Sequence, residues 1–204
     1  MRRLCMFLFL LCLAASPASA TTTILALGDS LTAGLGLDPG HAMPDVLQAA
    51  LRKDGKDVTI INAGVSGDTA AQGAARLDWA LTDDVKGIIL ELGANDTLRG
   101  LPPEQTDQAL RQVMNKAKAK NLPVLILGMR APPNLGPDYE TGFNAIYTHL
   151  AADYGALLYP FYLDGVAADP GLNQADGIHP NDKGVAVIVA KMLPLVEQFV
   201  SKLP

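Results

Sequence analysis

Thr22-Thr23-Ile24-Leu25-Ala26-Leu27 runs directly into Gly28-Asp29-Ser30-Leu31. The first six residues are apolar or β-branched, alternate little between faces, and stop at a glycine followed by small polar groups. Such a run reads as a strand buried on both faces and ended by a tight loop. Apolar runs of the same kind return at residues 58–62, 87–92, 123–127 and 156–159. Amphipathic stretches separate them at residues 44–53, 69–81, 104–119 and 139–154. In residues 104–119, Leu110, Val113, Met114 and Ala117 fall at helical spacing, and in 139–154 so do Phe143, Ile146, Tyr147, Leu150 and Tyr154. Ile188, Met192, Leu195, Val196 and Phe199 mark a last helix. Strand, loop and helix repeating in that order suits βαβ crossovers, so one doubly wound α/β domain with about five parallel strands is expected over residues 21–204. No Pro- or Ser-rich linker and no internal repeat divides it.

A chain of 204 residues is long enough for one large domain with its own core. With 49% hydrophobic and 18% charged residues, disorder and coiled coil are excluded. The net charge is −5 and no basic patch recurs, so no nucleic-acid partner is expected.

Residues 1–20 read as a secretory leader. Arg2 and Arg3 form a positive start, an apolar run at residues 4–13 is too short to span a membrane, and Ala18-Ser19-Ala20 offers a cleavage site. Both cysteines, Cys5 and Cys12, fall inside this segment. Cleavage after Ala20 leaves no disulfide, no reactive thiol and no cysteine metal site, and makes the chain two charges more negative. No later apolar run is long enough for a membrane span. The expectation is an acidic, soluble protein of the periplasm or the medium.

In doubly wound sheets, ligands bind at the carboxyl ends of the strands. The first expected strand is followed by Gly28-Asp29-Ser30-Leu31, the second by Ser66-Gly67-Asp68-Thr69, and the third by Gly93-Ala94-Asn95-Asp96. Asp176-Gly177-Ile178-His179-Pro180 precedes the last helix. A serine hydroxyl becomes a nucleophile when a base takes its proton. Three histidines follow the leader: His41 in a Gly-His loop, His149 inside a helix, and His179. His179 has an acid three residues earlier on a Gly-containing, Pro-bounded loop before the last helix. That spacing lets Asp176 hold one ring nitrogen and leaves the other for Ser30. Attack on a carbonyl also needs donors for the developing oxyanion. Gly67 can present its N–H closely, Asn95 can donate a side-chain N–H, and Ser30 can add its own N–H. Asp29, Ser66, Asp68 and Asp96 read as scaffolding and caps, and Glu91 as a buried, hydrogen-bonded acid within a strand. An acyl chain would need apolar loops at the same edge, which Leu98, Leu101 and Pro102, and then Met129, Pro132, Pro133 and Leu135, can supply.

With Ser30, Gly67, Asn95 and His179 in that order, the chain resembles the SGNH/GDSL hydrolase superfamily, whose four blocks centre on those residue types. Supporting stretches are Leu27-Gly28-Asp29-Ser30-Leu31-Thr32-Ala33-Gly34, Ser66-Gly67-Asp68-Thr69, Glu91-Leu92-Gly93-Ala94-Asn95-Asp96, and Gln174-Ala175-Asp176-Gly177-Ile178-His179-Pro180. Gly128-Met129-Arg130-Ala131-Pro132-Pro133-Asn134 is similar to the bacterial branch of secreted thioesterases, lysophospholipases and arylesterases. The resemblance implies a flavodoxin-like three-layer α/β/α sandwich with strand order 2-1-3-4-5. It implies a Ser30-His179-Asp176 triad, an oxyanion hole of Ser30, Gly67 and Asn95, and hydrolysis of small-molecule acyl esters and thioesters without metal or cofactor. A monomer is expected. Two positions depart from close relatives: Ala94 replaces a second glycine and Met43 replaces a tryptophan, both expected to alter the acyl groove.

Other classes fit less well. A carbohydrate O-acetylesterase would share the chemistry, but apolar loops suit acyl chains better than sugars. A non-catalytic exported binding protein has no use for a Ser-His pair. No strand is followed by G-x-G-x-x-G, and G-x-S-x-G is absent, which argues against a dinucleotide enzyme and a nucleophile-elbow hydrolase. Zinc chemistry lacks clustered ligands.

Overall fold

The structure, a computed structural model, describes residues 21–204. The leader expected over residues 1–20 lies outside them. Five strands form one parallel sheet: β1 (Thr22–Gly28), β2 (Val58–Gly64), β3 (Val85–Leu90), β4 (Val124–Leu127) and β5 (Leu157–Tyr159). Their order is β2-β1-β3-β4-β5, as the resemblance implied. β1 pairs with β2 from Thr22↔Val58 through Gly28↔Gly64 and with β3 on its other side. The chain winds one way from β1 to β2 and the other way from β3 onward, so the order reverses between β1 and β3, where ligands of such sheets bind.

The long helices are α2 (Met43–Lys53), α3 (Ala70–Ala80), α5 (Pro103–Ala119), α6 (Pro137–Tyr154) and α7 (Asp182–Val200). α2 and α7 pack together on one face of the sheet, and α3, α5 and α6 form the other layer. Each helix starts where the sequence stops it from starting earlier. Thr69 caps α3 reciprocally with Gln72, Asn181 caps α7 through Lys183 N and Gly184 N, and proline opens α5 and α6.

Ile24, Leu25, Leu27, Ile88, Leu125 and Leu127 have no exposure at all, so the central strands are buried on both faces as their apolar runs predict. The edge strands differ. β2 alternates between buried and half-buried positions, and β5 is half-buried throughout, because each has a neighbour on one side only. Two short helices were expected as loop: α1 (Ser30–Ala33) after β1 and α4 (Ala94–Leu98) after β3. A 3₁₀ turn at Pro133–Leu135 was likewise expected as loop. β3 ends at Leu90, so Glu91 stands just past the strand rather than inside it, with its N–H bonded to Leu27 O at 2.8 Å. Among the described residues no helix is long and apolar enough to cross a membrane.

Candidate active site

Ser30 is the first residue of α1, which the Asp29 side chain caps by accepting from Leu31 N at 2.9 Å. Only 8% of Ser30 is exposed. Its Oγ lies 2.9 Å from His179 Nε2, across 149 residues of sequence. His179 Nδ1 lies 2.7 Å from Asp176 Oδ2. A carboxylate only accepts, so Nδ1 carries the proton and Nε2 is left to accept from the serine hydroxyl.

The loop that presents His179 is locked by its own sequence. Asp176 Oδ1 accepts from Ile178 N and His179 N, both at 3.0 Å, an Asx turn through Gly177. These N–H bonds and the His179 ring hold the Asp176 carboxyl down at about 2, so it is charged wherever the enzyme would work. Gln174 ties the loop across the site, donating to Leu35 O at 2.7 Å and Pro180 O at 3.0 Å. Buried Asn173 anchors its base on Val166 O and Asp169 O.

Opposite the histidine, three strand ends converge. Gly67 follows β2 with φ +87°, a left-handed conformation that glycine takes without strain. Asn95 stands in α4 after β3. Within the hydrogen bonds of the described residues, neither Ser30 N–H nor Gly67 N–H donates to a protein acceptor. Asn95 Nδ2 lies 3.0 Å from both Asp29 Oδ2 and Asp68 O. Arg76 of α3 holds these ends together. It donates to Asp68 Oδ2 (2.6 Å), to Ala63 O (2.7 Å) and to Gly28 O (2.8 Å), linking β1, β2 and the Gly67 loop. Asp96 accepts from Ala70 N and Thr106 Oγ1, fastening α4 to α3 and α5, which is the scaffolding role expected of it.

Ser30, Gly67, Asn95 and His179 share one mainly apolar cavity of about 600 Å³. Leu98, Met129, Pro132 and Pro133 line it, while Leu101, Pro102 and Leu135 do not. The Leu101 carbonyl accepts from the Tyr139 hydroxyl at 2.7 Å, and Leu135 sits in the 3₁₀ turn. Ala94 does line the cavity, but Met43 is fully buried in the core and does not reach it. Leu31, Leu35, Ile178, Phe161 and Leu163 add to its apolar wall, and Arg130 is among its polar lining. Phe161 and Leu163 follow β5, so the rule that strand ends carry the site points to them too. His41 pairs with Asp182 at 3.0 Å on the surface, and His149 is exposed.

Residues 26–187 match the GDSL-like Lipase/Acylhydrolase family. The chain is 42% identical over 195 residues to thioesterase 1/protease 1/lysophospholipase L1 of Escherichia coli, spanning 93% of this chain and 92% of that protein. It is 44% identical over 163 residues to esterase TesA of Pseudomonas aeruginosa, spanning 79% and 81%. The solved structure of AlinE4, a SGNH-hydrolase family esterase, superposes with a TM-score of 0.75 at 44% identity, covering 89% of this chain and 97% of that one. The chain belongs to the GDSL-like lipase/acylhydrolase family and is an esterase of that family.

Proposed function

We propose that this esterase cleaves carboxylic esters of short to medium acyl chains, together with acyl thioesters and lysophospholipids, through an acyl-enzyme on Ser30. The observation that carries the reading is the continuous line from Ser30 Oγ to His179 Nε2 (2.9 Å) and from Nδ1 to Asp176 (2.7 Å), opening into an apolar cavity. Ser30 Oγ attacks the acyl carbonyl as its proton passes to His179 Nε2. Asp176 keeps the ring in the right tautomer and stabilises the imidazolium. The oxyanion is met by Ser30 N–H and Gly67 N–H, and by one Asn95 Nδ2–H that turns to it from Asp68 O while the other stays on Asp29. His179 then protonates the leaving alcohol or thiol, and a water activated by the same ring releases the acid. The proposal extends to export by the residue 1–20 leader and to action as a monomer.

The test is a substrate series on residues 21–204: p-nitrophenyl esters from acetate to palmitate, an acyl-pantetheine thioester, lysophosphatidylcholine and acetylated xylan, each with Ser30→Ala beside wild type. Turnover highest on short and medium aryl esters, lost in Ser30→Ala, is expected. A maximum confined to palmitate would overturn the chain-length reading. Preference for acetylated xylan would move the enzyme to the carbohydrate esterases.

A further inference from the structure

Asn95 is the one proposed oxyanion donor whose direction the backbone does not fix. Its amide can turn by half a rotation and present Oδ1 where Nδ2 stood, and an oxygen facing the oxyanion repels it. Here Nδ2 is 3.0 Å from Asp29 Oδ2 and 3.0 Å from Asp68 O. A carboxylate and a carbonyl both only accept, so a reversed amide would set its oxygen against two acceptors. Asp68 O is main chain and constant. Asp29, one residue before the nucleophile, is the partner that can change.

Asp29 has no exposure. Its Oδ1 accepts from Leu31 N at 2.9 Å, so two N–H groups converge on its carboxylate. Behind it lies Glu91, also fully buried. Glu91 Oε2 accepts from Thr32 Oγ1 at 2.8 Å and from Asp29 N at 3.3 Å, while Oε1 has no partner. Gly28 makes room for this approach: a Cβ there would lie 2.0 Å from Thr32 Oγ1 and 2.7 Å from Glu91 Oε2. A bare carboxylate oxygen in the core is costly, whereas a neutral acid is far less so. Burial and the neighbouring Asp29 charge push Glu91 well above the usual range. Burial also raises Asp29, to about 6, against the lowering pull of the Leu31 and Asn95 N–H bonds. Two buried carboxyls in contact do not both ionise readily, and the one that accepts two N–H bonds is the better anion.

We propose that the buried Asp29–Glu91 pair is a positioning device for the oxyanion hole: ionised Asp29, backed by neutral Glu91, fixes which end of the Asn95 amide faces the substrate. The inference rests on the reading of Asn95 as an oxyanion donor. Other titratable and charged groups surround the pair. His179 faces it from the site loop, Arg76 of α3 is paired with Asp68, and Asp96 lies in α4. Tyr147 of α6 donates to Leu92 O at 3.0 Å, and Tyr162 follows β5; burial raises both phenols and keeps them neutral. As Asp29 gains a proton, Oδ2 ceases to be a charged acceptor, and its hold on Asn95 Nδ2 weakens. The oxyanion donor is then less firmly oriented.

The experiment is a double-mutant cycle on ester hydrolysis with Asp29→Asn, Asp29→Ala, Asn95→Ala and both doubles. Each single variant is expected to lose roughly 10²-fold in kcat with KM little changed. The doubles are expected to be no slower than Asn95→Ala within about two-fold, because Asp29 acts through Asn95. Losses that multiply in the doubles would overturn the inference. So would Asp29 variants at the wild-type rate beside a slow Asn95→Ala, a result that leaves the oxyanion role of Asn95 intact. A wild-type rate in Asn95→Ala would instead sink the oxyanion reading itself. Should the Asp29 variants not fold, the ¹⁵N-labelled His179→Gln protein, which lacks the neighbouring imidazole, carries the test. Its Asn95 side-chain NH₂ signals, assigned by their loss in Asn95→Ala, are expected to titrate with a midpoint at or above the value of about 6 that Asp29 has beside His179, and signals that stay still from acid to mildly alkaline pH would overturn the proposal.

Discussion

Asp29 and Asp176 stand on opposite sides of the Ser30–His179 pair, and their surroundings move them in opposite directions. Asp176 sits on a loop with 44% of its side chain exposed, and three hydrogen bonds from residues two and three positions away hold its carboxyl down at about 2. Asp29 is sealed behind the nucleophile, where burial raises it to about 6 and its partners come from α1 and α4. The histidine side of the site is therefore mostly local: residues 173–181 build their own turn, which Gln174 and Asn173 pin to Leu35 O and Val166 O. The nucleophile side is a junction of three strand ends held by Arg76, Asp68, Asp29 and Glu91. The local side can lose one contact and keep its shape. The junction transmits any loss to the fold.

Variants of the two sides sharpen that contrast, and the reacting pair itself carries the largest effect. Ser30→Ala and His179→Ala each lower kcat by about 10⁴-fold or more, with unchanged melting behaviour. Steady-state kinetics alongside thermal unfolding check both halves of that statement. Asp176→Asn costs less, about 10²-fold in kcat, since the Asp176 position is 44% exposed and water there can replace part of the lost acceptor. A loss as large as that of His179→Ala would mean that Asp176 does more than orient the ring.

On the junction side, Arg76→Ala takes the guanidinium away from the buried Asp68 carboxylate and from the carbonyls of Ala63 and Gly28, the latter still accepting from Val65 N. It should cost roughly 2–3 kcal/mol of stability by urea unfolding, and stability within error of wild type would show that the junction is not held by this guanidinium.

The smallest effect is expected from Glu91→Gln. Glu91 stays protonated in the folded chain above the pH where an unfolded glutamate ionises, near 4.5. The folded state then binds more protons than the unfolded one, so stability falls as pH rises through that window toward the raised folded value. Glutamine removes this linkage, and its melting temperature should decline less from acid to mildly alkaline pH than that of wild type. Parallel declines would show that Glu91 is already ionised.

The same contrast explains what could be read from the sequence. The strands follow from apolar runs that have few other interpretations, their order in the sheet was implied by the family resemblance, and the Asp176–His179 loop follows from spacing within four residues. α1 and α4 are too short for any periodicity to show, and they form because strand ends, caps and helices elsewhere hold them. Arg76 reads as an ordinary polar position of an amphipathic helix, and nothing in the sequence near it names Gly28 or Ala63 as its partners. Leu101 and Leu135 were expected in the acyl groove because they belong to the right loops. Neither lines the cavity, and the Tyr139 bond to the Leu101 carbonyl and the 3₁₀ turn at Leu135 are not legible in the sequence. Phe161 and Leu163 follow the shortest strand, just past Pro160, where the apolar run read from the sequence has ended.

The claim that Ser30 is the acylated nucleophile is tested most directly by mass spectrometry of the protein treated with a fluorophosphonate ester and digested. The account predicts a single adduct on the peptide that contains Ser30, formed quickly in wild type and absent in Ser30→Ala. An adduct on any other residue, or none on folded protein that still hydrolyses esters, would contradict it.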